Sequence, residues 1–182
     1  MIKKKLTIGI DIDDTITKTL EKAEEYLINH DEYIPYEELC EIKTSRAIKF
    51  AQERLETIQK ECQPKDNVIE VLKRLKSKGN RIIIITARGS DLDYNYKTIT
   101  KEYLKKYNIP YDDIIFESVN KGLDCKNSNI DILIDDREYN LDSAIEYGII
   151  PIKFKSSKEP ISKYPTFDNW LYLEKYIEGG EF

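Results

Sequence analysis

The sequence predicts an α/β fold: a doubly wound parallel sheet with a small helical module inserted near its start. Three observations lead there. Short isoleucine-rich runs recur along the chain. Several are apolar without alternation, as strands covered on both faces are. Helical apolar spacing fills the intervals between them. One long interval, from Ile16 to Gln63, holds helical patterns and no convincing strand. Alternation of strand and helix implies parallel pairing through right-handed crossovers.

In order, residues 6–10 form the first strand, ended by Asp11-Ile12-Asp13-Asp14-Thr15. In the insertion, residues 19–29 set Leu20, Ala23 and Leu27 at helical spacing, and residues 36–42 make a short helix after Pro35. Residues 45–61 carry Ala47, Ala51, Leu55 and Ile58, with Phe50 widening the stripe, and Pro64 returns the chain to the sheet. The expected division is therefore 1–15 plus 64–182 as the core and 16–63 as the insertion. Residues 67–78 form a helix with Val68, Ile69, Leu72 and Leu75 on one face, stopped by Gly79, a residue suited to the position after a helix end. Residues 81–86 are the second strand, 95–107 a helix ended by Asn108-Ile109-Pro110, and 113–116 the third strand. A helical stretch starts at Lys121. Residues 130–134 are the fourth strand, 138–147 a helix stopped by Gly148, and 149–152 the fifth strand. Beyond Phe154 the chain is polar and mixed. Residues 167–177, with Trp170, Leu171, Leu173 and Tyr176, read as a terminal docking helix whose aromatics serve packing.

The 182 residues suffice for one substantial core and a small extra module. A net charge of −5 argues against an extended nucleic acid as partner, while leaving room for a small phosphate ester at a local positive spot. Cys40, Cys62 and Cys125 form no CxxC, so they read as free thiols in a reducing, cytoplasmic compartment. His30 is the single histidine, which disfavours a Cys–His nucleophile. No apolar stretch is long enough to span a membrane. The basic Lys3-Lys4-Lys5 precedes only a very short apolar run broken by Asp11, so no signal peptide is expected. A homo-oligomer is compatible with the sequence, which does not set the oligomeric state.

The chemistry lies at the strand ends. In extended backbone, residues two apart point the same way, so Asp11 and Asp13 converge just past the first strand. Open α/β sheets bind their ligands there. Two such carboxylates repel unless a cation or a shared proton intervenes, which suits a hard divalent metal facing a charged substrate. The second strand ends in Thr86-Ala87-Arg88-Gly89 and the fourth in Asp135-Asp136-Arg137. Taken singly, Asp135-Asp136 would be a helix cap, Thr86 an ordinary strand-end threonine and Arg88 a surface ion-pair partner. Three strands each releasing polar residues at the same end make a stronger signal.

In combination these motifs resemble the haloacid dehalogenase (HAD) superfamily of phosphohydrolases, over roughly residues 8–152. The family's DxDx[TV] element is matched by Asp11, Asp13 and Thr15, its strand-end hydroxyl by Thr86, and its terminal acid pair by Asp135 and Asp136. The resemblance implies Asp11 as a nucleophile forming an aspartyl-phosphate. It implies Asp13 as the acid that protonates the leaving alcohol and the base that then activates water. It implies Mg²⁺ held by an Asp11 oxygen, the Asp13 backbone carbonyl and the acid pair, Asp136 directly and Asp135 through water. Thr86 and the backbone N–H groups of its turn, Ala87 included, would bind phosphate. Arg88 would grip phosphate or pair with acids. The family's lone lysine is expected at Lys121, with Lys126 and Lys97 as alternatives. The acid at position 13 sets the chain apart from HAD-type ATPases and dehalogenases, and the insertion at 16–63 corresponds to a small cap.

The layout further resembles the five-prime deoxyribonucleotidase branch, although Ala87-Arg88 departs from the small residue plus proline often found there. The expected activity is that of a Mg²⁺-dependent phosphomonoesterase on a small phosphorylated metabolite, above all a nucleoside monophosphate. Tyr26, Tyr33, Tyr36 and Phe50 could stack on a base or pack the insertion. A polynucleotide 3′-end phosphatase, a broad sugar-phosphate phosphatase, a phosphomutase and a non-catalytic binding module on the same scaffold are the alternatives.

Overall fold

Unbroken apolar runs leave no solvated face, and the sheet is accordingly parallel throughout and covered on both sides. The computed structural model describes residues 5–89, 93–156 and 158–180, so Lys3 and Lys4 lie outside the described residues. Strands β1 (Thr7–Ile10), β2 (Arg81–Ile85), β3 (Asp113–Ile115), β4 (Ile132–Asp135), β5 (Ile150–Phe154) and β6 (Thr166–Phe167) lie in the order β3-β2-β1-β4-β5-β6. Neighbours β1 and β4 pair in register Ile8 to Ile132 through Ile10 to Ile134. The winding reverses between them, so their C-terminal ends frame the crevice where such sheets hold ligands.

The helices are α1 (Thr19–Asn29), α2 (Tyr36–Glu41), α3 (Ser45–Glu61), α4 (Val68–Ser77), α5 (Tyr96–Lys106), α6 (Lys121–Asn127), α7 (Glu138–Glu146) and α8 (Trp170–Gly179). Strand alternation divides the core. Ile8, Ile10, Ile82, Ile84, Ile132 and Ile134 face one side, with Val71 and Leu75 of α4 and Trp170 and Leu173 of α8. Ile83, Ile85 and Leu133 face the other, with Cys125 of α6 and Leu141 and Ala144 of α7. Gly9 shares that second face, and Ile130 fills the space its side chain would take: a Cβ there would meet Ile130 at 3.1 Å.

Helices α1–α3 bury a cluster of their own, with Leu20, Ala23, Leu27, Leu39, Ala47, Phe50 and Ile58 among its members. The chain leaves the core at Thr17 and returns at Pro64, and these two residues form an antiparallel bridge.

The C-terminal part of the sheet departs most from expectation, and β4 is shifted to Ile132–Asp135 from the expected 130–134. The expected terminal helix starts later, at Trp170, because Asn169 caps it by accepting from the Leu171 N–H at 2.8 Å. Thr166 and Phe167 instead add a sixth strand beside Lys153 and Phe154, too short to leave a pattern in sequence. Strand β5 runs on to Phe154 despite Pro151. The proline is tolerated because β6 pairs only with Lys153 and Phe154, so the N–H it lacks has no strand to reach.

Candidate active site

Strand β1 ends by donating the Asp11 N–H to Ile134 at 2.9 Å. The carbonyl of Ile12 then accepts from both Ile16 and Thr17, turning the chain sharply. Asp14 sits in this turn at φ 59°, a left-handed conformation that aspartate tolerates better than most residues. Its Oδ1 accepts from the Leu20 N–H at 2.8 Å, so the turn also caps α1. The indole N–H of Trp170 donates to the Thr15 carbonyl from below. The Thr15 hydroxyl itself is buried without a hydrogen-bond partner.

Lys121 opens α6, whose N-terminus is capped by Asn120 accepting from the Leu123 N–H. Its ammonium lies 2.5 Å from Asp11 Oδ1 and 2.6 Å from Asp135 Oδ2, and its side chain is only 2% exposed. The other two lysines go elsewhere. Lys126 sits over the Tyr147 ring, and Lys97 pairs with Glu117 at 3.1 Å. Gly122 lets α6 approach α7 this closely: a Cβ there would stand 2.2 Å from the Ser143 carbonyl oxygen.

Asp135 is fully buried and fully engaged. Beside Lys121, it accepts from the Arg137 N–H at 2.8 Å and from the Asn140 amide at 3.0 and 3.1 Å. Asp136 pairs with the Arg137 guanidinium at 2.9 Å, and Lys153 donates to its carbonyl.

Arg88 is 4% exposed and faces Asp13. Its Nε and Nη2 reach the two Asp13 oxygens at 2.8 and 2.7 Å, and Nη1 donates to Thr100. The acid it meets is Asp13 of the site itself, not the surface acid expected as its alternative partner. Thr19 also donates to Asp13, at 2.8 Å. Thr86 is buried at the end of β2, its hydroxyl accepting from the Arg88 N–H at 3.2 Å, and Ala87 beside it is exposed.

Burial drives the carboxyl pKa values. It pushes Asp11 well up, with Lys121 opposing and Asp135, Asp136 and Asp13 adding to the rise. Burial likewise pushes Asp136 up to about 8 and Asp14 up to about 7. Asp13 moves the other way: burial works against its charge, but Arg88 and the Thr19 hydroxyl hold it below the usual carboxylate range. For Lys121, contact with Asp11 and Asp135 more than offsets the burial that disfavours its charge.

Five carboxyl groups, Asp11, Asp13, Asp14, Asp135 and Asp136, thus share this edge with three cations, Arg88, Lys121 and Arg137. Fully ionised, the five would exceed the three cations by two charges, the charge of one divalent ion, and burial instead favours protons on Asp11, Asp14 and Asp136. Among the described residues no three acidic, histidine or cysteine side chains form a ready metal cage. Magnesium does not need one, since it keeps several waters and takes one or two carboxylates. Asp11, Asp136 and the Asp13 carbonyl are oxygen donors of the kind it takes.

Asn140, Thr19 and Lys153 escape sequence reading, and Arg137, legible only as the end of the Asp135-Asp136-Arg137 run, pairs with its neighbour Asp136. The proposed stacking aromatics are mostly internal to the insertion. Phe50 is buried there, and Tyr26 stacks on His30 at 3.9 Å and meets Phe50 edge-on. Tyr36 hydrogen-bonds Ser156 across to the core, and Tyr33 is exposed.

No protein-family model matches this chain, and no curated protein does. Solved structures do. A predicted phosphatase from Clostridium acetobutylicum superposes with a TM-score of 0.67 at 16% identity, covering 97% of this chain and 100% of its own. A HAD-superfamily hydrolase from Ehrlichia chaffeensis gives 0.58 at 17%, covering 97% and 98%. A predicted phosphoglycolate phosphatase from Haemophilus somnus gives 0.63 at 13%, covering 97% and 100%. Dehalogenases are among the further matches. At such identities the likeness establishes the fold, which is that of HAD-superfamily hydrolases.

Proposed function

We propose that this chain is a phosphomonoesterase working through an aspartyl-phosphate on Asp11. One observation carries the reading: at the crevice between β1 and β4, Asp11 has Lys121 on one oxygen, with Asp13 two residues on and Asp136 beside it. Asp11 attacks phosphorus as its carboxylate, and Lys121 orients it and opposes the burial that disfavours that charge. Thr86 donates to a phosphate oxygen. Asp13, ionised in the resting enzyme by Arg88, is set to activate the water that hydrolyses the intermediate. The approach of a phosphate dianion opposes Arg88 and favours a proton on Asp13, which then passes to the leaving alcohol. A Mg²⁺ ion held by Asp11, Asp136 and the Asp13 carbonyl would neutralise the surplus charge and polarise the phosphoryl group. The second carboxylate at Asp13 favours ester hydrolysis over dehalogenation.

Residues 16–63 are read as the cap that shields this chemistry from water. The expected substrate is a small phosphate ester, and the motif layout favours a nucleoside monophosphate. The three free thiols suit a cytoplasmic setting, and among the described residues no helix is long and apolar enough to cross a membrane. The test is phosphate release from nucleoside monophosphates, sugar phosphates and a 3′-phosphorylated oligonucleotide, with Mg²⁺ or with chelator, for the wild type and Asp11→Asn. Metal-dependent turnover lost in Asp11→Asn is expected. Turnover that survives Asp11→Asn, or none on any ester, would sink the reading.

A further inference from the structure

We infer that a cavity inside the helical insertion receives the ring-bearing end of the substrate's alcohol part, and that it selects a single compact ring bearing a hydrogen-bond acceptor. The inference rests on the phosphomonoesterase reading above. The cavity has a volume of about 160 Å³ between α1, α2 and α3, with Leu20, Leu39, Phe50 and Leu55 among its walls. Asp13 and Asp14 lie in its lining. A carboxyl group that protonates the leaving oxygen must touch that oxygen, so whatever the oxygen carries starts beside a wall of this cavity. The volume is on the scale of one six-membered ring, since an apolar cavity of about 150 Å³ holds benzene.

The polar content is as telling. Gln59 lines the cavity and is 2% exposed. Its Oε1 accepts from the Tyr94 hydroxyl at 2.9 Å. Its amide nitrogen can only donate. Buried donors find acceptors in native structures, and a ring nitrogen or carbonyl on the ligand would supply one. A polyhydroxylated sugar would shed hydration against leucine and phenylalanine walls with little returned.

The test compares kcat/KM for 3-pyridyl phosphate, phenyl phosphate and glycerol 1-phosphate in the wild type, Gln59→Leu and Ala51→Phe. The readout is the change in ratios between variants, which cancels the intrinsic reactivity of each ester. Gln59→Leu is expected to lower the pyridyl-to-phenyl ratio about tenfold, by removing the donor that only the pyridyl ring can use. Ala51→Phe, which fills the cavity, is expected to lower the phenyl-to-glycerol ratio by a similar factor. Ratios unchanged in both variants would overturn the inference. Should Ala51→Phe not fold, the Gln59→Leu arm decides alone. Should no ester turn over, the phosphatase reading fails, and binding of 3-hydroxypyridine, followed by NMR, tests the cavity by itself. Saturable binding weakened by Gln59→Leu would support a ligand pocket, and no binding would overturn it.

Discussion

Lys121 and Arg88 each neutralise a carboxylate that the chemistry needs, and they do so differently. Lys121 is a buried point charge between Asp11 and Asp135. Removing it strands two carboxylates in a site with little water. Lys121→Met is therefore expected to cut kcat/KM by at least about 10²-fold and to cost roughly 3–5 kcal/mol of stability. Steady-state kinetics and denaturant titration check the two effects separately. Arg88 grips Asp13 with a planar fork and holds its carboxyl in the charged form. In Arg88→Met the Asp13 pKa rises, so the acidic limb of the pH–rate profile should move to higher pH. Arg88→Lys should shift it less, since a point charge keeps the attraction but loses the fork. An unmoved limb would remove Asp13 from the titrating step.

Among the elements, the contact of α6 with α7 sets the reach of Lys121. Gly122 lets the two backbones touch where any Cβ would collide with Ser143. Gly122→Ala must push α6 away, and Lys121 moves with it. The expected cost is about 1–3 kcal/mol, a fall in Tm of several degrees, accompanied by lost kcat. A variant with lowered Tm and unchanged kcat would mean that Lys121 adjusts independently of its helix. The α1 start is tied to the same chemistry in another way. Asp14 caps it from within the turn that carries Asp13, so the insertion is anchored at the site itself.

For the whole molecule, the clustered acids make stability depend on pH and on cation together. Asp136 and Asp14 have folded pKa values of about 8 and about 7, above the ordinary carboxylate value of 3.8. A raised folded pKa means that the fold favours the protonated form. That stability is present in full below about pH 4 and is lost as pH rises through 7 to 8. With chelator present, Tm should therefore fall between about pH 5 and pH 8.5. Mg²⁺ should restore it, by at least about 3 °C at pH 8 and by less at pH 5, where protons compete for the same oxygens. Melts followed through the single tryptophan, Trp170, at the centre of the core, would show it. An equal effect of Mg²⁺ at both pH values would place the cation elsewhere.

Strand ends, helix faces and the polar residues released at each strand's C-terminus are legible in the sequence, because they arise from local patterning. An unbroken apolar run becomes a doubly covered strand wherever it sits, and the polar residues at its C-terminal end fall at the ligand-binding edge. The sixth strand is not legible, since two residues beside Lys153 and Phe154 carry no period. Nor is partner choice. Three lysines are open by sequence, and only the path of α6 brings one of them to Asp11. Arg88 could serve phosphate or an acid, and the fold gives it Asp13 across 75 positions of sequence. The resemblance gives Asp136 the direct metal contact and Asp135 one through water, but not that Asn140 and Lys121 close around Asp135. Period and burial are properties of neighbours in sequence, whereas charge pairing depends on distances that exist only once the crossovers have folded.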